Sequence, residues 1–440
     1  FGSRVCLSSV VAMLAVLGLT FCLCTYAENS GKVAMYWGQD DGVRAEDDLL
    51  SVGADPSIGR IYMSFALPCP GSKIFTAGGA SYVDLSLSSH AHGRDCAVLT
   101  DYPGVTSRGC NSYVPDCTRC ANCSLPLAAQ IKEAQARGVE VLLSVGGGAE
   151  SSGSPPDPAQ FVEVLSNMYL TPRSDYTGPR PFGDVVLDGI DLDMEQEWGQ
   201  MPGTWMPTFV ERFPSAPLLT IAPQCFDFNT QYKGSVTGVM AADTSTNALL
   251  SPEHICRFDS LNVQFYNNEG DLSDGTDFPT SGTDEALAKV LNDTAVNCWD
   301  DYTYGWYQDG KHHCFASKFL TTAAIWANVA QQCTAWRASR GAMYHGATQF
   351  FFGTPVDQLA PDGSAGGLPW PVYAQETSLT VPRRQLATLV QALSKLAGGS
   401  FGGVMLWDRG NDLTVGAQMP EGAKPSALFK GVMGATELVV

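Results

Sequence analysis

The chain has 440 residues, 45% of them hydrophobic and 16% charged, enough for one large core. Its formal net charge of −19 would repel phosphate backbones, which excludes nucleic acid as a partner. No residue-level repeat with a period of 20–50 is visible, which argues against a solenoid.

The first segment reads as an export leader. Arg4 precedes an apolar run, Val10 to Leu23, and Thr25-Tyr26-Ala27 brings small residues to a cleavage point. The run is too short to span about 30 Å of hydrocarbon comfortably. The expected organisation is a signal peptide over residues 1–27 and one domain over 28–440, secreted, monomeric and not inserted in a membrane. Export makes the cysteines legible. Eleven of the 14 lie beyond Ala27, and exported proteins tolerate disulfides. Cys117, Cys120 and Cys123 are therefore read as a disulfide-pinned loop in preference to a zinc knuckle, with the pairing open. Asn122 and Asn292 stand in glycosylation sequons.

Short, nearly continuous apolar runs follow in order. They are Val33 to Trp37, Arg60 to Phe65, Glu140 to Val145, Val185 to Asp193, Leu218 to Ala222, Ser260 to Phe265, Gln349 to Gly353 and Gly403 to Trp407. Strands buried on both faces have this character, and they belong to parallel sheets. Helical stripes lie between several of them. Leu127, Ala128, Ile131 and Ala134 share one face, closed by Gly138. Phe161, Val162, Leu165, Met168 and Tyr169 form a second stripe. Leu386, Leu389, Val390, Leu393 and Leu396 form a third. Eight strands alternating with helices predict a (β/α)8 TIM barrel, a single α/β domain with long disulfide-containing loops. The loops are Leu67 to Ser124 and Glu269 to Phe315. The second carries Trp299, Tyr302, Tyr304, Trp306 and Tyr307, which either stack on the rings of a ligand or form a satellite core.

The chemistry concentrates in Asp188-Gly189-Ile190-Asp191-Leu192-Asp193-Met194-Glu195. Strand side chains alternate faces, so Asp191, Asp193 and Glu195 point one way, roughly 7 Å apart. Asp188 is out of phase and is given a structural role. Buried carboxylates are costly unless paired or hydrogen-bonded, and four specified acids arise by chance at about 10⁻⁵ per position on average composition. No His cluster accompanies the row, so neither a metal nor any other cofactor is expected. Neighbouring acids titrate together and retain a proton, which a general acid requires. Glu195, nearest the mouth, is the expected donor, and Asp193 its modulator.

The same stretch resembles the signature of glycoside hydrolase family 18, and the whole chain resembles a class III, plant/fungal-type chitinase. Met35-Tyr36-Trp37-Gly38-Gln39 resembles that family's first strand, and Leu143 to Gly148 its SxGG motif. Thr220 to Cys225, Val263 to Asn268 and Gly402 to Trp407 resemble later strand ends. The resemblance makes residues 28–440 the catalytic domain and implies a secreted endo-chitinase acting on chitin or chitooligosaccharides. It implies a retaining mechanism in which the substrate's own acetamido group is the nucleophile. Glu195, Asp193, Asp191 and Tyr266 would be catalytic. Trp407, Gln264, Tyr36, Gln224 and Asn267 would contact substrate. Asp188, Ser144, Gly146 and Gly147 would support the site. Cis peptides would fall at Ser64-Phe65 and Trp407-Asp408. Two alternatives stand beside this: an endo-β-N-acetylglucosaminidase acting on N-glycans, and a non-catalytic glycan-binding or inhibitory relative. The departures from the family pattern are the long loops, Asp40 where Asn is common, and no cysteine soon after Asn268 to pair with Cys225.

Overall fold

The computed structural model describes residues 31–38, 49–68, 74–77, 80–83, 85–87, 127–147, 157–172, 176, 180, 182–193, 204–223, 252–265, 297–299, 313–315, 319–341, 344, 346–356, 368 and 370–434. Eight parallel strands close into a barrel: β1 Lys32–Trp37, β2 Ile58–Pro68, β3 Glu140–Gly146, β4 Gly189–Asp193, β5 Leu218–Ile221, β6 Ser260–Gln264, β7 Gln349–Pro355 and β8 Phe401–Trp407. Each pairs with its neighbours in sequence. The ring shuts where Lys32 lies beside Gly403 and Val33 beside Ile58. Leu85–Leu87 adds an antiparallel strand to β2, and two small hairpins, Ile74–Ala77 with Ala80–Val83 and Asn297–Trp299 with His313–Phe315, sit in the long connections.

Helices follow the strands: α1 Leu49–Ala54, α2 Leu127–Ala136, α3 Pro158–Leu165, α4 Trp205–Arg212, α5 Pro252–Ile255, α6 Phe319–Arg340, α7 Thr380–Ala397, α8 Arg409–Gly416 and α9 Pro425–Gly434. α7 buries Leu386, Leu389, Val390 and Leu393 along one face, each contributing roughly 1.5–3 kcal/mol. α2 ends at Gly138, whose φ of 84° suits a residue without Cβ. α3 starts at Pro158 with Asp157 accepting from the Gln160 amide at 3.0 Å.

Two sequence-predicted elements differ in detail. The stripe from Phe161 to Tyr169 is not one α-helix: it changes to a π turn over Ser166–Leu170, which keeps Met168, Tyr169 and Leu170 buried. The fourth strand begins at Gly189 rather than Val185, because the carbonyls of Gly183 and Val185 are taken by the buried Arg180 guanidinium instead of a sheet partner. The signal segment, Cys117 to Cys123, both sequons and Cys225 lie outside the described residues, as do Tyr302 to Tyr307. Among the described residues no helix is long and apolar enough to cross a membrane.

Two apolar layers result. The larger, between barrel and helices, holds Ile190 and Leu192 of β4. The smaller, inside the barrel, holds Ala34, Tyr36, Tyr62, Phe65, Leu142, Phe351 and Met405. Strand alternation thus turns the odd-numbered acids of β4 into the barrel.

Candidate active site

Gly189 opens β4 where a Cβ would lie 2.1 Å from the Leu218 carbonyl oxygen. Two residues on, Asp191 is completely buried. Four side chains from four strands donate to it: Tyr36 Oη at 2.8 Å and Ser144 Oγ at 2.7 Å to Oδ2, Thr220 Oγ1 at 2.5 Å and Asn262 Nδ2 at 3.2 Å to Oδ1. Burial pushes its carboxyl upward, while the bonds from Thr220, Ser144 and Tyr36 and the Arg60 charge pull it back, leaving it raised.

Asp193 lies one step nearer the C-terminal mouth, 2% exposed, and accepts from Gln264 Nε2 at 2.8 Å. Gln264 is itself held by the Ala222 carbonyl at 2.9 Å. The Asp193 carbonyl accepts from the Gly147 amide at 2.6 Å. Gly146 and Gly147 have φ of 116° and 92°, and a Cβ on Gly147 would lie 2.3 Å from the Phe65 ring. The glycines let β3 turn under that ring.

An aromatic wall completes the described part. Trp407, half-buried at the end of β8, stacks on Phe65 at 5.6 Å between centroids, and Tyr36 meets both at 5.4 and 5.7 Å. The Ser64-Phe65 and Trp407-Asp408 peptides are both cis, as the resemblance implies.

Asp188 sits apart, at the other end of β4. It accepts from the Val141 amide at 2.7 Å and Gln135 Nε2 at 3.0 Å, joining β3, β4 and α2. Burial raises its carboxyl against those bonds.

The structure therefore brings together Asp191, Asp193, Ser144, Gly146, Gly147, Tyr36, Gln264 and Trp407. Glu195, Tyr266, Asn267 and Gln224 lie outside the described residues. Tyr36, expected to contact substrate, has no exposed surface, and its hydroxyl donates to Asp191. Gln264 is likewise buried, against Asp193. Thr220 and Asn262 are not marked by any sequence motif as partners of Asp191. Their signal is strand parity, since each faces inward at the level of Asp191.

No family model matches the chain. An acidic endochitinase of Phaseolus angularis is 26% identical over 412 residues, covering 92% of this chain and 94% of its own length. Chitinase 2 of Rhizopus oligosporus is 28% identical over 262 residues, covering 59% of this chain and 40% of its own length, so this chain spans well under half of that relative. A solved chitinase from Ipomoea carnea superposes with a TM-score of 0.45 at 19% identity, over 91% of this chain and 100% of that one. By sequence, the chain is similar to plant and fungal proteins named as chitinases.

Proposed function

We propose that the chain is a secreted, endo-acting chitinase that hydrolyses β-1,4 linkages of N-acetylglucosamine polymers with retention of configuration. The observation that carries this reading is the inward pair Asp191 and Asp193, stacked along one strand toward the mouth, with the half-buried Trp407 beside them. Two homologues named for chitinase activity support chitin as the substrate class.

Glu195, next in the same parity, is the proton donor to the glycosidic oxygen. The substrate's 2-acetamido oxygen attacks the anomeric carbon as the leaving sugar departs with that proton, giving an oxazolinium ion. Asp193 orients the acetamido group and stabilises the positive charge that develops on the acetamido nitrogen. Tyr266 donates to the acetamido oxygen. Water, deprotonated by Glu195, then opens the ion and restores the acid. A tethered nucleophile has a high effective concentration, which is why no enzyme carboxylate is needed for attack. Trp407 forms the floor under the reacting sugar.

The test is hydrolysis of a fluorogenic chitotrioside, with anomer analysis of the first product. Glu195→Gln is expected to lower turnover about 10²–10⁴-fold, and the product to be the β-anomer. Equal cleavage of oligomers lacking N-acetyl groups, or unchanged turnover in the variant, would overturn the assignment. Release of glycans from a high-mannose glycoprotein without chitotrioside cleavage would move the substrate to N-glycans.

A further inference from the structure

The barrel interior below the acid pair holds a cation that the proposed chemistry does not use. Arg60, on β2, is 2% exposed. Its Nε binds Glu140 Oε2 at 2.8 Å, directly across from it in register on β3, and Lys32 closes the cluster on Glu140 Oε1 at 2.6 Å. The far end of the guanidinium reaches over the Phe351 ring, 5.2 Å from its centroid, to Ser260 on β6.

From there a chain of bonds runs upward with one polarity. Arg60 Nη1 donates to Ser260 Oγ at 2.9 Å, and it has no acceptor capacity. Ser260 Oγ, which also neighbours the Tyr62 hydroxyl, donates to Asn262 Oδ1 at 3.2 Å. That fixes which way the Asn262 amide faces, and its Nδ2 is the group left to donate to Asp191 Oδ1 at 3.2 Å. A second branch runs from Arg60 Nη1 to Tyr62 Oη at 3.2 Å.

We propose that Arg60 is a positioning residue for the acid row: through Ser260 it orients Asn262 toward Asp191, and it holds a positive charge beneath that carboxylate in the buried barrel interior. The catalytic part of this inference rests on the proposed chitinase activity, while the coupling of Arg60 to Asp191 does not. Among the described residues, the groups around Asp191 are Tyr36 on β1, Arg60 and Tyr62 on β2, Ser144 on β3 with Glu140 below it, Asp193 on β4, Thr220 on β5, and Ser260 and Asn262 on β6. β7 and β8 contribute Phe351 and Met405, which carry no charge. Arg60 is the one cation in that set, and it acts to lower the Asp191 carboxyl.

The experiment is a titration of the Asp191 carboxyl by ¹³C NMR in aspartate-labelled protein, assigned by loss of the signal in Asp191→Asn. It runs in parallel with the pH dependence of chitotrioside kcat/KM. Arg60→Met should raise the Asp191 midpoint by ~1 pH unit and carry the acid limb of the rate profile the same way. Ser260→Ala keeps the ion pair but cuts the relay, and should raise the midpoint by a smaller amount. Glu140→Gln removes the anion that partly neutralises Arg60 and should lower it. If Arg60→Met does not fold, the other two variants decide. Folded Ser260→Ala and Glu140→Gln proteins with wild-type midpoints would overturn the proposal even with full chitinase activity. Shifted midpoints in the variants, with a wild-type protein that cleaves no chitotrioside, would uphold the coupling and reject the chitinase reading.

Discussion

Asp191 is sealed from solvent, so its part in any chemistry is exercised on its neighbours. Its four donors, Tyr36, Ser144, Thr220 and Asn262, stand on four different strands, and each can be tested singly. Thr220→Val keeps shape and removes one hydroxyl from a buried carboxylate. It should cost about 1.5–3 kcal/mol of stability, read as the urea midpoint. Gly147 is a steric counterpart. Gly147→Ala forces a Cβ into the Phe65 ring at a φ that L-residues rarely adopt, and about 1–3 kcal/mol of destabilisation is expected, with reduced turnover as Phe65 and Trp407 shift. Asp191 and Asp193 were legible in sequence because a period of two turns both into the barrel, whereas Ser144, the glycines after it and Trp407 were marked only by the family resemblance. Arg60 and Glu140 were not legible, since a charged pair at the start of two apolar runs reads as solvated strand ends until the register sets them side by side.

At the level of elements, the barrel was legible because strands covered on both faces need unbroken apolar runs, and all eight runs became strands. What escaped were junctions governed by contacts remote in sequence. Arg180 replaced the first turn of a strand with side-chain bonds, and the Cys256–Cys333 disulfide could not be paired by counting. That bridge ties the turn before β6 to α6, alongside Arg337, which is buried and bonds the carbonyls of Cys256 and Arg257 and Asp259 Oδ1 at 2.7–2.8 Å. A loop of 77 residues gives about 4 kcal/mol on chain entropy. Cys256→Ser with Cys333→Ser should lower stability by that order, read by chemical unfolding. Arg337→Met strands Asp259 without its cation and should cost about 3–5 kcal/mol.

For the whole molecule, a polar seam joins the first and last βα units. Asp55, after α1, meets Arg409 Nη1 of α8 at 3.2 Å and Lys424, just before α9. Arg409 also bonds Asp412, which caps the Ser426 amide at 2.8 Å. Burial alone would raise Asp55, but Lys424, Ser57 and Arg409 outweigh it and hold the carboxyl at about 2, below its ordinary 3.8. A depressed carboxyl stabilises the fold above the unfolded value and ceases to as pH falls through the folded one. Asp55→Asn should therefore cost about 2 kcal/mol at pH 5–7, a deficit that shrinks between pH 4 and 2. Unfolding free energies of both proteins across that range check it. Asp412 runs the other way, since burial raises it against Arg409 and Ser426.

The contact of Lys32 with Gly403 has a kinetic side. A cylinder of strands has no free edge only once its last-arriving member docks, and until then the unpaired backbone of β1 and β7 remains a template for wrong partners. Ring closure spans nearly the whole folded sequence, so its entropy is met late and folding is slow. During synthesis the earlier strands must wait for Phe401–Trp407 to emerge before the aromatic wall can exist at all. The wall of Tyr36, Phe65 and Trp407 is thus among the final parts of this protein to form.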